Sequence, residues 1–397
     1  MRPLEGIKII DFSSAHAAVY STMILADFGA DVLKIERYGT GDAARYYTPY
    51  QKDGSAYHAY LNRGKKSLSI NMKTPEGKEI IKKLVAEADV VVENFRYGSL
   101  DKMGLGYSVL KEVKPDLIYA ALSSFGQTGP LKRQNGLDLT LQAMGGIMDL
   151  TGRKDGPPIK IGTPIGDQFS GVYLALAIML ALVHRQKTGE GQKIDVAMMD
   201  AIFSMLEMGV IQPAITGQPT VRRGNGSPVI CPYDVFPAAD GYVSIGVSTN
   251  AQWVKFCQVM ELDDLAQNPL YATNASRAEH FDEGLRAAIE AKTKTMSRFE
   301  IEQKLRSVNL PVGAVCTVYE ASESEQIKAR DMVVEVEDKA AGKVRMFGIP
   351  AKLSATPGAI TSSAPLLGEH TTACLKELGY TEAEIDKLIA DKVVEQS

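Results

Sequence analysis

Short apolar strands alternate with helices in the first third of this chain, and this alternation constrains the fold more than any other feature. The strand-type runs are Ile7–Phe12, Asp31–Glu36, Val90–Glu93 and Leu117–Ser123, with helical segments at Ala17–Gly29 and Lys78–Ala88. Continuous apolar strands separated by helices are typical of a parallel sheet that is covered on both faces. The sequence therefore predicts an α/β fold with a doubly wound, Rossmann-like sheet.

The turn after the first predicted strand, Ser13–Ala17, contains no glycine. Dinucleotide-binding sheets carry a GxGxxG motif at this turn, and the P-loop motif GxxxxGK[ST] is also absent from the chain. We therefore expect this Rossmann-like half not to bind NAD or FAD in the usual way.

Charge and spacing patterns argue against several classes of protein. The 397 residues carry a net charge of −4, which does not suggest nucleic-acid binding. The four cysteines form no CxxC pair, and the five histidines show no HxxxH or HExxH spacing, so we expect neither a disulfide framework nor a metal site. We expect the cysteines to be small buried side chains in a reducing compartment.

No segment has the pattern of a secretion signal or a membrane span. The N-terminus MRPLEGIKIIDF lacks the apolar core of a signal peptide, and the apolar run Val172–Val183 is too short to cross a bilayer. These observations predict a cytoplasmic protein that does not bind membranes.

A stretch rich in glycine and proline, Gly217–Pro232, predicts a linker in the second half of the chain. The elements expected around it are a Met-rich helix at Met198–Met208, a strand at Tyr242–Val247, helices at Gln252–Met260 and Phe281–Val308, and a C-terminal helical pair at His370–Leu378 and Glu382–Lys392.

Asp167 stands just before the apolar run Val172–Val183, which ends in basic residues and Gly189. This pattern predicts a buried helix with Asp167 at its N-terminus. There the helix dipole would keep the carboxylate ionised, and an aimed carboxylate can act as a nucleophile. Asp is also a favoured N-cap, so simple capping is the commoner explanation of this segment taken alone.

Basic and amide side chains follow several predicted strands: Arg37, Lys73, Asn94 and Arg96. Ligands of open α/β sheets bind outside the carboxyl ends of the strands. A phosphate-bearing ligand there would be met by such groups, although any single one of them could be an ordinary surface residue.

The chain resembles the class III CoA-transferases, the family of formyl-CoA:oxalate, carnitine and bile-acid CoA-transferases. The resemblance covers almost the whole length and rests on motifs in a fixed order: PLEGIKIIDFSS at Pro3, LADFGADVLKIE at Leu25, NRGKKSLSINMKTPEGK at Asn62, ADVVVENFRYGSLDKMGLGY at Ala88, FGQTGP at Phe125, GPPIKIGTPIGD at Gly156, RQKTGEGQKIDVAMMDA at Arg185 and LLGEHT at Leu366.

The resemblance implies that Asp167 is the nucleophile and carries an aspartyl-CoA thioester during CoA transfer from an acyl-CoA to a carboxylic acid. It implies no permanently bound cofactor, since coenzyme A and acyl-CoA are substrates. The positions that it implies for CoA binding are His16, Arg37, Ile70, Asn71, Met72, Lys73, Asn94, Phe95, Arg96 and Lys102. His16 departs from the Gln of some members, and Lys102 stands where others have Arg.

The resemblance also implies a large Rossmann-like domain built from both chain ends, at 1–216 and 326–397, with a smaller α+β domain inserted at 217–325. It implies an interlocked homodimer, in which each subunit is threaded through its partner.

Three other functions are compatible with parts of the sequence. The 2-methylacyl-CoA racemases of the same superfamily use a histidine where this chain has Leu137, which argues strongly against racemisation. Intramolecular CoA transfer within a diacid would use the same Asp167. A non-catalytic acyl-CoA-binding protein would not need the intact Asp167 motif.

The acceptor acid is less well defined by the sequence. Formyl-CoA:oxalate enzymes carry a glycine-rich loop, and the corresponding region Arg223–Ala238 has no run of glycines, so a larger organic acid is favoured. The tyrosines among residues 46–60 could line an acyl pocket, although packing is their commoner role.

Overall fold

A computed structural model describes all residues 1–397, which divide into two compact units. The first unit comprises Met1–Met148, Lys160–Val210 and Gln326–Ser397, and the second comprises Asp149–Ile159 and Ile211–Glu325.

The strands are β1 (Lys8–Asp11), β2 (Asp31–Arg37), β3 (Tyr50–Gln51), β4 (Gly54–Ser55), β5 (Lys66–Ile70), β6 (Val90–Glu93), β7 (Ile118–Ser123), β8 (Lys193–Ala197), β9 (Tyr233–Ala238), β10 (Gly241–Gly246), β11 (Val312–Ala314), β12 (Val333–Asp338), β13 (Gly342–Phe347) and β14 (Val394–Glu395). The helices are α1 (Ala17–Asp27), α2 (Ala56–Leu61), α3 (Pro75–Ala86), α4 (Ser99–Met103), α5 (Tyr107–Val113), α6 (Asp138–Met144), α7 (Ile147–Leu150), α8 (Ile165–Thr188), α9 (Met198–Ser204), α10 (Met208–Thr216), α11 (Asn250–Val259), α12 (Asp263–Gln267), α13 (Asn274–Glu279), α14 (Arg286–Thr293), α15 (Arg298–Ser307), α16 (Val318–Glu323), α17 (Glu325–Ala329), α18 (Thr371–Glu377) and α19 (Glu382–Ala390).

The first unit is built on a seven-stranded sheet in the order β14-β5-β2-β1-β6-β7-β8. Only β14 is antiparallel, and it pairs with β5 at one edge. Counted along the chain, the six parallel strands have the order 3-2-1-4-5-6 of Rossmann folds, so the predicted doubly wound sheet is confirmed. Its topological switch point, where ligands of such sheets bind, lies between β1 and β6.

Helices pack on both faces of this sheet. Helices α3, α5, α18 and α19 share one apolar core with alternate strand residues such as Leu33 and Ile35 of β2. Because side chains alternate across a strand, Lys34 and Glu36 face away from that core, and both are nevertheless buried. Helices α1 and α8 contact each other and the same sheet, and none of their residues belongs to this core.

The long helix α8 matches its sequence pattern at both ends, with basic Arg185 and Lys187 in the last turn and Gly189 in the left-handed C-cap position. The expectation that its apolar run is buried is only half right. Leu174, Ile178 and Leu182 are buried, whereas one stripe is exposed to between 45% and 62%. The stripe consists of Val172, Leu176, Leu180 and Val183.

Helix α8 also bears on the expectation about membranes, because it is 24 residues long and its length and composition would allow it to cross one. In its most apolar 18-residue window 39% of the residues are buried within the chain, and core helices of soluble proteins pass the same test. The segments α9 and α10 pass only if they are counted as one bent span. The cytoplasmic location stays a prediction.

The second unit contains the three-stranded antiparallel sheet β11-β10-β9 and a core around Trp253 and Phe256. The strand and the first helix predicted here are confirmed as β10 and α11, and Gly217–Pro232 contains no helix or strand. The single helix predicted over Phe281–Val308 is wrong. It is a π-helical turn at Phe281–Leu285 followed by α14 and α15, with a non-helical Gly284 inside the turn.

Two smaller expectations also change. The Met-rich segment forms two helices, α9 and α10, instead of one. All four cysteines are free thiols, but only Cys231, Cys257 and Cys374 are buried, and Cys316 is exposed.

Candidate active site

The loops that follow β1 and β6 meet at the switch point of the sheet. The side-chain oxygen of Asn94 accepts a hydrogen bond from Ser14 N–H at 2.9 Å, and its amide donates to the Ser14 carbonyl at 2.8 Å. The Asn94 side chain therefore links the two loops through the Ser14 backbone. Ser14 lines two neighbouring cavities.

The larger cavity, of about 690 Å³, opens at the carboxyl ends of β1, β2, β5 and β6. Six of the residues predicted to bind CoA line it: Arg37, Ile70, Asn71, Met72, Lys73 and Phe95. The structure brings these positions together from three separate strand ends. The side chains of Arg37 and Lys73 are exposed at its margin and free to meet an anion.

The other four residues predicted to bind CoA do not line the larger cavity. His16 and Asn94 line the second cavity, together with Asp167. Arg96 and Lys102 line neither cavity and are exposed, although each is next to a residue of the larger cavity, Phe95 or Met103.

The second cavity, of about 280 Å³, is called the Asp167 cavity here. It is lined by the loop before α1, two tyrosines and the N-terminal ends of α6 and α8, and no lysine or arginine lines it. Its lining includes His16, Tyr47, Tyr57, Leu137, Asp138 and Asp167. Of the tyrosine cluster considered in the sequence, two members therefore face this cavity.

A close approach of two helices sets the position of Asp167. A Cβ atom at Gly171 would lie 2.6 Å from the carbonyl oxygen of Ala17, so only glycine allows the second turn of α8 to touch the start of α1. Residues four apart lie on the same helix face, which places Asp167 one turn before this contact and beside the start of α1.

Asp167 is the third residue of α8 and does not cap it, because the N-cap position is occupied by Pro164. The capping explanation of this residue is therefore wrong. Burial, and secondarily the negative charge of Asp138, raise the pKa of Asp167 from 3.8 to about 7. With this pKa Asp167 is only partly ionised near pH 7, which differs from the expectation that the helix dipole keeps it ionised.

Asp138 holds the beginning of α8 in place. Its carboxylate accepts a hydrogen bond from Gly166 N–H at 2.8 Å and another from the Gln142 amide at 2.7 Å. Gly166 lets the carboxylate approach, because a Cβ there would lie 2.9 Å from the Asp138 oxygen. Asp138 thus fixes the backbone next to the candidate nucleophile and raises its pKa.

His16 is buried, and its Nδ1 is hydrogen-bonded to the Tyr57 hydroxyl. Burial lowers the pKa of His16 to about 4, against the opposing effect of Asp138. Burial also raises the pKa of Tyr57 to about 12. Both groups are therefore neutral near pH 7, so the walls that they form carry no charge.

The sequence alone indicates no role in this site for Asp138, and it does not distinguish Tyr57 from the other tyrosines among residues 46–60. Their roles depend on helix contacts between distant segments, for which the sequence contains no local signal. No group of three or more His, Cys, Asp or Glu side chains is arranged to hold a metal ion.

The sequence profile of CoA-transferase family III matches residues 4–371. The chain belongs to this family. Membership confirms the resemblance seen in the sequence, and with it the prediction of an enzyme that transfers CoA between an acyl-CoA and a carboxylic acid.

Individual relatives agree with this assignment. The chain is 40% identical to a succinyl-CoA:mesaconate CoA-transferase of Haloarcula marismortui over 96% of its own length and 97% of the relative. It is 36% identical to a succinate–glutarate CoA-transferase of Agrobacterium fabrum over 96% of each chain. A CaiB/BaiF family protein from Brucella suis has a solved structure with a TM-score of 0.87 and 36% identity, which covers 95% of this chain and 99% of that one.

Proposed function

We propose that this CoA-transferase works through a covalent aspartyl-CoA thioester on Asp167. The observation that carries the proposal is the environment of this carboxylate. It lies in a cavity beside the larger, CoA-sized one, has no capping role, and has a pKa shifted towards neutrality. Structural carboxylates are usually paired or exposed, so an unpaired one in a cleft is a candidate for catalysis.

The exchange would proceed in four balanced steps. The Asp167 carboxylate attacks the thioester carbonyl of the donor, which gives a mixed anhydride and expels CoA thiolate. The thiolate attacks the Asp167 carbonyl, which releases the donor acid and leaves the aspartyl thioester. The acceptor carboxylate attacks that thioester to form a second anhydride, and the returning thiolate completes the new acyl-CoA and regenerates Asp167.

Each step passes through an oxyanion that the site must stabilise. Helix α1 begins at Ala17 in the wall of the Asp167 cavity and has no side-chain cap. We infer that its first N–H groups, with their partial positive charge, serve this purpose.

The larger cavity would take the nucleotide end of CoA. Arg37 and Lys73 at its margin are suited to the phosphates, with Arg96 and Lys102 outside it as further contacts. Residues 70–73 and Phe95 would enclose the adenosine. Ser14 and Asn94 would flank the thiol arm where it passes from one cavity to the other.

We propose dicarboxylic acids as the substrates, with a succinyl-type donor. The names of the relatives support this proposal, since they act on succinyl-CoA or succinate together with mesaconate or glutarate. A cavity of about 280 Å³ has room for more than a two-carbon acid. Transfer within one diacid remains an alternative that uses the same chemistry.

Racemisation is disfavoured by the residue at position 137. Leu137 lines the Asp167 cavity and has no group that can accept a proton.

The working form would be an interlocked homodimer. The exposed apolar stripe of α8, from Val172 to Val183, supports this because contiguous exposed apolar surface marks an interaction site. Light scattering coupled to size exclusion would report the mass of two chains of 43.0 kDa, and a monomer would contradict the proposal.

The deciding experiment traps the covalent intermediate. The protein is incubated with succinyl-CoA, treated with hydroxylamine, digested, and analysed by mass spectrometry. We expect a hydroxamate on Asp167 in the native chain and none in Asp167→Asn. Asp200→Asn is a matched control, because Asp200 is also the third residue of a helix but is exposed outside the cavity. A modified peptide elsewhere, or none with any acyl-CoA tested, would overturn the proposal.

A further inference from the structure

The turn between β1 and α1 is held by charged side chains, one from the end of β1 and others from further along the chain. Ser13 N–H donates to Asp11 at 2.9 Å, and the Ser13 carbonyl accepts from the Lys34 ammonium at 2.8 Å. Asp11 and Lys34 are both completely buried. A turn of this length needs no such charges merely to connect a strand to a helix.

The next residues of the turn depend on Asp42. One oxygen of its carboxylate accepts from the Ser14 hydroxyl at 3.0 Å and from Ala15 N–H at 2.9 Å. Its other oxygen forms an ion pair with Lys34 at 2.6 Å. Asp42 is 3% exposed, and although burial opposes its charged form, Lys34 and the donors around it hold its pKa well below the usual range.

Ala15 has a backbone φ of +72°, the left-handed conformation that residues with a Cβ atom rarely adopt. Such a conformation persists only where its surroundings enforce it, and it is concentrated at functional sites. Here the turn carries Ser14 into the wall of both cavities and His16 into the Asp167 cavity. Ala15 lies directly between Ser14 and His16.

Stability alone does not explain the buried pair of Lys34 and Asp42. A buried ion pair is often no more stabilising than two apolar side chains of similar size, because desolvation offsets the attraction. What an apolar pair could not do is accept hydrogen bonds from Ser14 and Ala15.

We propose that Asp42, with Lys34 as its counter-ion, is a positioning residue of the transfer reaction. It holds Ala15 in the left-handed conformation so that the start of α1 and His16 face Asp167. This inference rests on the proposed function, because its effect is read as the rate of thioester formation on Asp167.

The test compares substitutions that separate loop geometry from stability. Both Asp42→Ala and Asp42→Asn remove the carboxylate charge that pairs with Lys34, so both should lower the melting temperature, and Asp42→Ala more so because it also loses the hydrogen bond from Ala44 N–H. Only the amide keeps an acceptor for Ala15 N–H. We expect thioester formation to slow by about 100-fold in Asp42→Ala and by only about fivefold in Asp42→Asn, since small misplacements near a reacting group have large effects.

A second substitution tests the strain directly. Glycine adopts the left-handed conformation without penalty, so adding Ala15→Gly to Asp42→Ala should restore the rate by about tenfold. The control is Asp31→Asn. Asp31 lies on β2, the strand that carries Lys34, and its ion pair with Lys66 of β5 is exposed, so the substitution should leave the rate unchanged. CoA affinity is measured for each variant, so that weaker binding is not mistaken for slower chemistry.

If the two Asp42 variants slow equally, or if Ala15→Gly restores nothing, the positioning role is refuted. If Asp42→Ala does not fold, Lys34→Met/Asp42→Leu replaces the pair by apolar residues. It should fold and still be slow, and a native rate in it would also refute the role. Absence of the thioester in the native chain would instead refute the proposed function.

Discussion

The two cavities of the first unit adjoin each other but are built in different ways. The larger cavity is formed by strand-end loops that contribute short runs of residues, such as Ile70–Lys73, with basic side chains at its exposed margin. The Asp167 cavity draws on more of the chain, from the turn before α1 to Met198 at the start of α9, and no lysine or arginine lines it. In the proposed mechanism the first cavity would bind a ligand by surface charge, whereas the second shifts the pKa values of groups that line it.

This difference separates binding from chemistry. Exposed cations such as Arg37 would attract phosphates by a long-range charge interaction that salt weakens. The partly buried Asp167 and the buried His16 have pKa values moved towards their neutral forms. Substitutions in the larger cavity should therefore change substrate affinity, whereas those in the Asp167 cavity should change the rate and its pH dependence.

Asp167→Ala should have the largest effect of any substitution. We expect turnover to fall by at least about three orders of magnitude with folding retained, because a missing covalent nucleophile has no replacement in the cavity. Steady-state CoA exchange and circular dichroism would measure the two quantities. Exchange near the native rate would contradict the assignment of the chemistry to the Asp167 cavity.

Arg37→Met and Lys73→Met should act on affinity alone. Each removes a charge-assisted contact worth roughly 10- to 100-fold, so we expect KM for acyl-CoA to rise by about this factor while kcat stays within about threefold. Kinetics at two salt concentrations would sharpen the result, since the native protein should lose more affinity in high salt than either variant. A fall in kcat with unchanged KM would assign these residues to the chemistry instead.

The pH dependence of thioester formation should follow the ionisation of Asp167. Only the carboxylate is nucleophilic, so the single-turnover rate should rise with pH through about 7. Asp138→Asn removes the negative charge that contributes to the raised pKa, and the midpoint should move to lower pH. A midpoint that is the same in both proteins would show that Asp138 does not influence the nucleophile.

The smallest expected effect is on stability, which Asp167→Asn should increase although it abolishes thioester formation. The pKa of Asp167 is raised by folding from 3.8 to about 7, so the folded state loses stability as pH rises through this interval. The neutral amide avoids that loss, and we expect the melting temperature to exceed that of the native chain by about 2 °C at pH 8. The difference should shrink towards pH 4, and a constant difference across this range would contradict the raised pKa.

Sequence patterns predicted the first unit more accurately than the second. Runs such as Val90–Glu93 are unambiguous because a strand buried on both faces must be apolar throughout, and the strand has the predicted bounds. The single helix predicted over Phe281–Val308 is wrong because the apolar spacing of this segment continues across a break in the helix. Gly284 departs from helical geometry there, and a single glycine in a helical pattern is too common to mark a break.

The sequence by itself determined the parallel sheet, the family, the position of Asp167 near the start of a helix, and the basic residues beside the larger cavity. These features depend on local composition and on motifs in order along the chain. Tertiary structure alone decided that Asp167 does not cap α8, that Asp138 and Tyr57 line the same cavity, and that Asp42 accepts a hydrogen bond from the left-handed Ala15. Burial and the distance between charges set those properties, and neither quantity exists until distant segments pack together.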